Sequence, residues 1–332
     1  MNPFSTLQLI AGGYCLPRCL HVVADFGVAD ALGEDPMTAA ELAVVVGADP
    51  DALGRVLRLL STLGVFESRN GKFLHSPASR LLRADHPQSM RPFVRMFGVR
   101  FNWDTYAELE HSVRTGQPAG DKVTPGGFWA YFSDRPEEWS IFNEAMEAKA
   151  HGQVAAIVGA YDFSGFRVIS DIGGGRGHLL RAVLERSPAA RGVLFDLPRV
   201  IDESKSLASD RLTLQAGDFF KDELPACDAY LLMDIIHDWN DEESEEILKA
   251  IRRAAQPNAK LLLLETIVPE NDMLDWSKML DVHMLTLLGG KQRTRQEFEA
   301  MLDKAGFTFE REIDTGAGIS IIEAAAQQRH AT

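Results

Sequence analysis

The chain has 332 residues, of which 45% are apolar and 25% charged, with a formal net charge of -14, values ordinary for a soluble globular protein of about two domains. No run approaches the ~20 apolar residues of a membrane span, and the start lacks a signal-peptide pattern. Three cysteines cannot build a disulfide framework, and the acidic excess beyond residue 100 argues against a nucleic-acid partner. We therefore expect a cytoplasmic protein with no membrane partner, and no metal, because Cys15 and Cys19 near His21 are explained as small residues on one helix face.

The first hundred residues predict a winged helix. Residues 4–32 carry apolar side chains at helical spacing. Two helices follow, the first opened by a Thr38–Glu41 capping box and the second capped by Asp49. An Asn70–Gly71 turn then predicts a β-hairpin between residues 65 and 75.

A winged helix can bind DNA or associate with another protein. The second helix offers only Arg55 and Arg58 as cations, and Asp49 and Asp51 offset them. We therefore favour an interaction module, most simply a dimerisation surface that uses the apolar N-terminal helices.

Residues 86–160 are mainly helical in pattern and rich in aromatic side chains. Most of these side chains are expected in the core, and some could line an apolar pocket for a flat substrate. We divide the chain into a winged-helix domain at 1–105, a helical connector at 106–160 that contributes to the pocket, and a further domain at 161–332.

A glycine-rich loop follows the apolar run that begins at Val168. The alternating glycines from Gly173 to Gly177 do not complete a dinucleotide fingerprint, whose third glycine would replace His178. A pyrophosphate prefers bare amides to the carboxylate of Asp171, whereas an ammonium group and a sulfonium favour that acid. Asp196 ends the next strand, where it can accept both ribose hydroxyls. We predict an S-adenosylmethionine site, with a purely structural turn as the alternative.

Strands and helices alternate from residue 167, with strands predicted near 167–172, 191–196, 211–215, 228–236 and 259–265. A Thr294–Glu297 capping box opens the last helix, and two strands at 307–313 and 319–323 close the chain. The expected fold class is α/β, a class I methyltransferase Rossmann-like sheet of seven strands with the last antiparallel, preceded by the mostly helical winged-helix domain.

Further polar side chains follow the strands at the edge where ligands of such sheets bind. Asp218 and Phe219 follow the third strand, which is consistent with adenine binding or with a simple turn aspartate.

His237 follows the fourth strand. Imidazole, with an ordinary pKa of about 6.5, can take the proton of a phenol with a pKa of about 10 and so prepare its oxygen for methylation. Glu265 ends the next strand and could orient the imidazole, although a structural histidine is the alternative.

Four motifs in combination resemble the S-adenosylmethionine-dependent O-methyltransferases of plant caffeic-acid and isoflavone type and their bacterial polyketide and phenazine relatives. The motifs are residues 171–177, 217–220, 237–239 and 289–294. The resemblance covers nearly the whole chain. It implies a homodimer in which the N-terminal helices of one subunit help to close the pocket of the other. It also implies S-adenosylmethionine as cofactor, S-adenosylhomocysteine as product, a small aromatic substrate and no metal.

The resemblance implies roles for individual residues. His237 corresponds to the general base and Glu265 to an orienting carboxylate, with Gln292 as the third catalytic position. The cofactor-binding positions are Asp171, Gly173, Gly174, Gly175, Asp196, Leu197, Asp218, Phe219 and Met233. The substrate-binding positions are Phe142, Met146, Met284 and Asp238.

Two positions depart from the family pattern. Gln292 replaces a second glutamate that the family often has, and Met233 replaces a common basic residue. An amide can hydrogen-bond an imidazole but cannot stabilise its cation by charge. Methyl transfer to a hydroxyl is therefore the leading hypothesis, and a non-methylating reaction such as hydroxylation or pericyclic chemistry is the second. A winged-helix regulator that senses S-adenosylmethionine is the third.

Overall fold

The computed structural model describes residues 2–328, which form two compact units. The first unit comprises the described residues up to Asp104 together with Tyr131–Lys149, and the second comprises Thr105–Ala130 and the described residues from Ala150 onward. Among these residues no single helix is both long and apolar enough to cross a membrane, although Pro3–Gly12 and Cys15–Asp25, bent by 42°, pass this test of length and composition as a pair.

The first unit begins with the elements α1 (Pro3–Gly12), α2 (Cys15–Asp25), α3 (Val28–Leu32), β1 (Met37–Thr38), α4 (Ala39–Val46), α5 (Pro50–Thr62), β2 (Phe66–Arg69), β3 (Lys72–His75), α6 (Pro77–Arg80) and α7 (Arg91–Gly98). The predicted helix over 4–32 is three helices, because Gly13 and Gly27 lie between them and glycine disfavours a helix interior.

The winged-helix elements have the predicted local signals. Thr38 and Glu41 form the capping box of α4, and the Asp49 side chain accepts a hydrogen bond from the first turn of α5. The strands form a three-stranded antiparallel sheet in the order β1-β3-β2, with Arg69 opposite Lys72 across the hairpin turn. Buried side chains of α2 to α5 pack on Phe66 and Phe73, so the hairpin and the helices share one core.

Helices continue with α8 (Arg100–Ala107), α9 (Leu109–Thr115), α10 (Ala119–Val123), α11 (Gly127–Tyr131), a short 3₁₀ turn (Phe132–Asp134) and α12 (Pro136–Ala160). The division between the two units falls within α8, α11 and α12.

The second unit continues with β4 (Val168–Ile172), α13 (His178–Arg186), β5 (Arg191–Asp196), α14 (Pro198–Glu203), a 3₁₀ turn (Lys205–Leu207), β6 (Leu212–Ala216), β7 (Ala229–Met233), a second 3₁₀ turn (Ile236–Asp238), α15 (Asp241–Ala254), β8 (Lys260–Glu265), α16 (Trp276–Leu287), α17 (Arg295–Lys304), β9 (Phe307–Asp314) and β10 (Ser320–Ala326). The seven strands form one sheet in the order β6-β5-β4-β7-β8-β10-β9. β10 runs antiparallel to both of its neighbours, so the predicted seven-stranded sheet with its last strand antiparallel is confirmed.

The sheet has a hydrophobic layer on each face. Alternate residues of one strand enter different layers, as Leu261 and Leu263 of β8 join one cluster while Leu262 and Leu264 join the other. Since all five strands from β4 to β8 are parallel, their carboxyl ends meet at one edge of the sheet. That edge carries the candidate site.

Strand β7 ends earlier than predicted. The sequence pattern extended it to residue 236, but the strand ends at Met233 and Asp234 adopts a left-handed backbone conformation with φ of 55°. A non-glycine residue rarely adopts this conformation, so the chain turns sharply here and enters the 3₁₀ turn. We call Ile236–Asp238 the histidine turn, because His237 is its central residue.

Candidate active site

The glycine-rich loop joins β4 to α13 at the carboxyl edge of the sheet. Gly173, Gly175 and Gly177 all have positive φ angles, of 70°, 55° and 67°, which favour glycine at each position. A Cβ atom at Gly173 would approach the Ile235 side chain to 2.7 Å, whereas one at Gly175 would meet nothing within 4 Å. The loop is therefore packed at its start and open at its middle, where a ligand can reach the backbone.

Asp171 lies beneath this loop and is 1% exposed. Neither carboxylate oxygen has a hydrogen-bond partner among residues 2–328. Burial, followed by the negative charge of Asp196, raises the pKa of Asp171 to about 7, and the Leu180 backbone N–H, whose geometry falls short of a regular hydrogen bond, only partly opposes this shift. A buried carboxylate without partners is costly, so this position fits a ligand that brings a hydrogen-bond donor or a cation.

Asp196 ends β5 and faces the same loop. Its Oδ2 accepts a hydrogen bond from the Gly175 amide at 2.8 Å, and its Oδ1 accepts one from the Leu197 amide at 2.7 Å. Each carboxylate oxygen has a second lone pair, so both can still accept a ligand hydroxyl. Burial raises the pKa of Asp196. The ammonium, sulfonium and ribose hydroxyls of S-adenosylmethionine fit this pair of acids.

Asp218 and Phe219 follow β6 at the same edge. Oδ1 of Asp218 accepts from the Phe220 amide and Oδ2 pairs with Lys221 at 2.7 Å, and this bond to Lys221 lowers the pKa of the carboxyl. Phe219 meets Trp239 edge to face, with ring centroids 5.7 Å apart. Both predicted interpretations of Asp218, adenine binding and a turn, are compatible with these contacts, since the residue also closes its own turn.

His237 and Glu265 form the hydrogen-bonded pair that the strand order predicts. Nδ1 of His237 lies 2.7 Å from Oε2 of Glu265. His237 is 7% exposed and Glu265 is fully buried. The other oxygen of Glu265 accepts hydrogen bonds from the amides of Ile235 and Ile236, at 3.2 and 2.8 Å. Because Nδ1 is engaged by Glu265, Nε2 is the nitrogen that can exchange a proton with a substrate.

The surroundings of His237 move its pKa away from the ordinary imidazole value of about 6.5. Burial alone would lower its pKa, but the charge and hydrogen bond of Glu265, followed by the charges of Asp238 and Asp234, raise the pKa of His237 to about 9. Oδ1 of Asp238 lies 3.5 Å from Nε2, and Oδ1 of Asp234 lies 3.9 Å from Nδ1. At neutral pH the imidazole is therefore mostly protonated.

Asp234, His237 and Glu265 also place one potential ligand atom each within 4.8 Å of one another, a spacing found in metal sites. However, the 2.7 Å separation of Nδ1 and Oε2 is a hydrogen-bond distance. Two ligands at about 2.1 Å from a tetrahedral metal ion would lie more than 3 Å apart, so binding would require this bond to break.

The remaining predicted positions are distributed over both units. Phe142 and Met146 are half-buried on α12 in the first unit, where Phe142 stacks on Trp139 with centroids 5.5 Å apart. Met284 is 7% exposed on α16 in the second unit. Met233 ends β7 and is half-buried, and Leu197 is 41% exposed.

Gln292 is 2% exposed, and neither its amide oxygen nor its amide nitrogen has a partner within the described part of the chain. Its backbone amide donates to Asp281 Oδ1 at 2.9 Å. The Gln292 amide, which is chemically able to hydrogen-bond an imidazole, therefore makes no such bond to His237 in this structure. A buried amide with both polar atoms unpartnered is suited to a polar group of a ligand.

Sequence reasoning missed two residues of this site. Asp234 lacked a signal because the strand was expected to continue through it. Arg293 was quoted only as part of a motif, yet it is 1% exposed, which is rare for an arginine.

Two family models match the chain. Residues 106–308 match the O-methyltransferase domain, and residues 8–85 match the O-methyltransferase dimerisation domain. Among curated proteins, the phenazine O-methyltransferase PhzM of Lysobacter antibioticus is 41% identical over 325 residues, which are 96% of this chain and 94% of that protein.

Two other similar proteins bear on the chemistry. The solved structure of CalO1, a methyltransferase in calicheamicin biosynthesis in its SAH-bound form, has a TM-score of 0.88 and 32% identity, and the match covers 98% of this chain and 99% of that one. Aclacinomycin 10-hydroxylase RdmB of Streptomyces purpurascens is 32% identical over 317 residues, 92% of this chain and 85% of that protein.

Proposed function

This chain belongs to the O-methyltransferase family, and we propose that it transfers the methyl group of S-adenosylmethionine to a hydroxyl of a small phenazine-, polyketide- or phenol-type metabolite, with His237 as general base. The enzyme is an S-adenosylmethionine-dependent O-methyltransferase. The identity of the acceptor and the role of the histidine form the proposal.

The hydrogen bond between His237 and Glu265 carries the assignment of the base. Glu265 holds Nδ1, so Nε2 accepts the proton of the substrate hydroxyl as the oxygen becomes a nucleophile. The cofactor, when bound, supplies the methyl group on a sulfonium that leaves as a neutral thioether. Glu265, Asp238 and Asp234 stabilise the imidazolium that results. The proton then passes to solvent when product leaves.

The same acids impose a cost on the base. Since the pKa of His237 is about 9, only a small fraction of the resting enzyme has a neutral imidazole at pH 7. The proposed reaction therefore speeds up as the pH rises towards 9, because the imidazole must lose its own proton before it can accept another.

A homodimer is the proposed assembly. Helix α1 exposes four large apolar side chains, which are Phe4, Leu7, Leu9 and Ile10, and Tyr14 is exposed in the link to α2. A helix with this surface needs a covering partner, and the matched dimerisation domain supports a second copy of the chain.

Labelled cofactor tests the proposed function. The purified enzyme is incubated with methyl-labelled S-adenosylmethionine and a panel of hydroxylated phenazines, anthraquinones and simple phenols, and products are analysed by mass spectrometry. We expect label on an oxygen of at least one aromatic product. Label on nitrogen or carbon would refute the hydroxyl as acceptor.

A second candidate function is a non-methylating reaction that keeps the cofactor. The uncharged Gln292 and the similarity to a protein named as a hydroxylase favour it. The same incubation separates the two, because a converted substrate that carries no label identifies the second candidate.

A further inference from the structure

Arg293 has a buried guanidinium in which every N–H donates a hydrogen bond. The side chain is 1% exposed, and its five donors match five acceptors. These acceptors are the carbonyl oxygens of Ile236 (3.1 Å), Lys291 (3.1 Å) and Trp239 (3.0 Å), Ser244 Oγ (3.1 Å) and Asp241 Oδ1 (2.9 Å). Two of the carbonyls belong to the residues on either side of the pair His237–Asp238.

The carbonyl side of the histidine turn is held by the segment that contains Arg293. The amide of Lys291 donates to the His237 carbonyl at 2.9 Å. Gly290 packs so closely that a Cβ there would overlap the same oxygen. Ser244, whose hydroxyl lies 3.4 and 3.3 Å from the carbonyl oxygens of Ile236 and Trp239, completes this set of contacts.

The opposite, amide side of the turn is held by Glu265. Its Oε1 accepts from the amides of Ile235 and Ile236, while its Oε2 binds the imidazole of His237. A buried anion and a buried cation thus fix the two polar edges of one short turn. The imidazole is attached to that turn, so its orientation depends on both ions.

We propose that Arg293 is a positioning residue for the methyl transfer, fixing the carbonyls around His237 so that its imidazole meets both Glu265 and the substrate hydroxyl. This inference rests on the proposed function of His237 as base. The planar guanidinium suits the task because it reaches two separate carbonyls and a carboxylate at once. A lysine ammonium is a single point with three donors and cannot span the same acceptors.

A positioning role has a kinetic signature that a general structural role lacks. A displacement of about 1 Å at the reacting group can cost about 100-fold in rate. Asp171 and Asp196, the acids proposed to bind the cofactor, lie on β4 and β5 and are not among the hydrogen-bond acceptors of Arg293. Loss of Arg293 is therefore expected to lower kcat and to leave cofactor affinity largely intact.

The matched control is Arg252, which also donates to backbone carbonyls. Its Nε donates to Gly306 at 2.9 Å, and Nη2 donates to Gln327. These carbonyls flank β9 and β10 and do not belong to the histidine turn. Arg252→Lys is expected to lower thermal stability and to leave kcat and its pH profile unchanged.

The experiment compares Arg293→Lys, Arg252→Lys and the native enzyme by kcat, KM, cofactor Kd and the pH dependence of kcat. We expect Arg293→Lys to lose about 100-fold in kcat with less than a threefold change in cofactor Kd. We also expect its acid limb to move to lower pH, because the bond between His237 and Glu265 loosens while Asp234 and Asp238 remain. An unchanged kcat and pH profile, or an equal loss of kcat in Arg252→Lys, would overturn the proposal.

Two further measurements keep the test decisive. Ser244→Ala removes one acceptor of Arg293 with little change of volume, and it should reduce kcat several-fold even where Arg293→Lys fails to fold. NMR titration of the His237 ring reports its pKa without any turnover. A native enzyme inactive on every substrate would refute the proposed function, whereas an unaltered His237 titration in the Arg293 or Ser244 variant would refute this inference alone.

Discussion

Glu265 binds His237 through one carboxylate oxygen and binds the backbone that precedes it through the other. The 2.7 Å contact from Oε2 to Nδ1 fixes the imidazole ring, and the contacts from Oε1 to two amides fix the turn that carries it. The same buried group therefore determines the position of the imidazole and, through its charge, how strongly the imidazole holds a proton.

Removal of the imidazole should separate catalysis from cofactor binding. We expect His237→Ala to lower kcat by about 10²–10⁴, because a poorly acidic phenol must then lose its proton to water. Isothermal titration calorimetry should give an unchanged Kd for S-adenosylhomocysteine, since Asp171 and Asp196 are retained. Full turnover in this variant would exclude His237 as base.

The rate should depend on pH through the His237 imidazole. With a pKa of about 9, the neutral form increases about tenfold per pH unit below that value, so kcat/KM should rise up to pH 9 and then level off. Glu265→Gln removes the largest source of the upward shift, and its acid limb should move to lower pH while the maximal rate falls. An acid limb near pH 6.5 in the native enzyme would contradict this account.

The buried Asp171 carboxylate should oppose folding and favour binding. Its folded-state pKa of about 7 exceeds the ordinary value of 3.8, so the ligand-free protein loses stability as the pH rises from about 4 to about 7. Asp171→Asn should raise the free energy of unfolding at pH 8 by about 2–4 kcal/mol. The same substitution should weaken cofactor binding at least tenfold. Thermal melts at pH 5 and pH 8 with calorimetric titration test this, and destabilisation at pH 8 would contradict it.

Metal removal should leave the reaction unchanged. The close hydrogen bond between His237 and Glu265 leaves too little space for an ion between their ligand atoms. Dialysis against EDTA, followed by assay with and without added Mg²⁺ or Zn²⁺, measures the effect. A loss of activity that Zn²⁺ restores would assign a metal to the Asp234, His237 and Glu265 group.

The apolar surface of α1 should be required for association. We expect Leu7→Glu combined with Ile10→Glu to convert a dimer into a monomer in light scattering, because both side chains are about 70% exposed in the single chain. Val44→Glu is the control, since Val44 is also exposed but lies on α4. A native protein that is monomeric at micromolar concentration would contradict the proposed assembly.

Much of the fold could be predicted because its signals are local. The capping boxes at Thr38 and Thr294 begin helices where expected, since each needs only a hydroxyl and a glutamate three residues later. The strands of the sheet could be predicted from apolar runs that alternate with helical patterns. The end of β7 could not be predicted, because Ile235 and Ile236 continue the apolar run and an aspartate does not by itself specify a left-handed conformation.

The site was predictable to the extent that strand order brings residues together. Glu265 was expected beside His237 because neighbouring parallel strands end at one edge, and this is confirmed. The raised pKa of His237 required the positions of Asp234 and Asp238 around the ring. The five hydrogen bonds of Arg293 involve residues up to 57 positions away, which no local pattern reveals.

Gly290 has a consequence for anyone who wishes to redesign this enzyme. Any larger residue at this position would displace the carbonyl of His237. The backbone next to the imidazole therefore cannot be altered by a substitution of Gly290 alone. Selections for altered acceptors should therefore leave Gly290 unchanged.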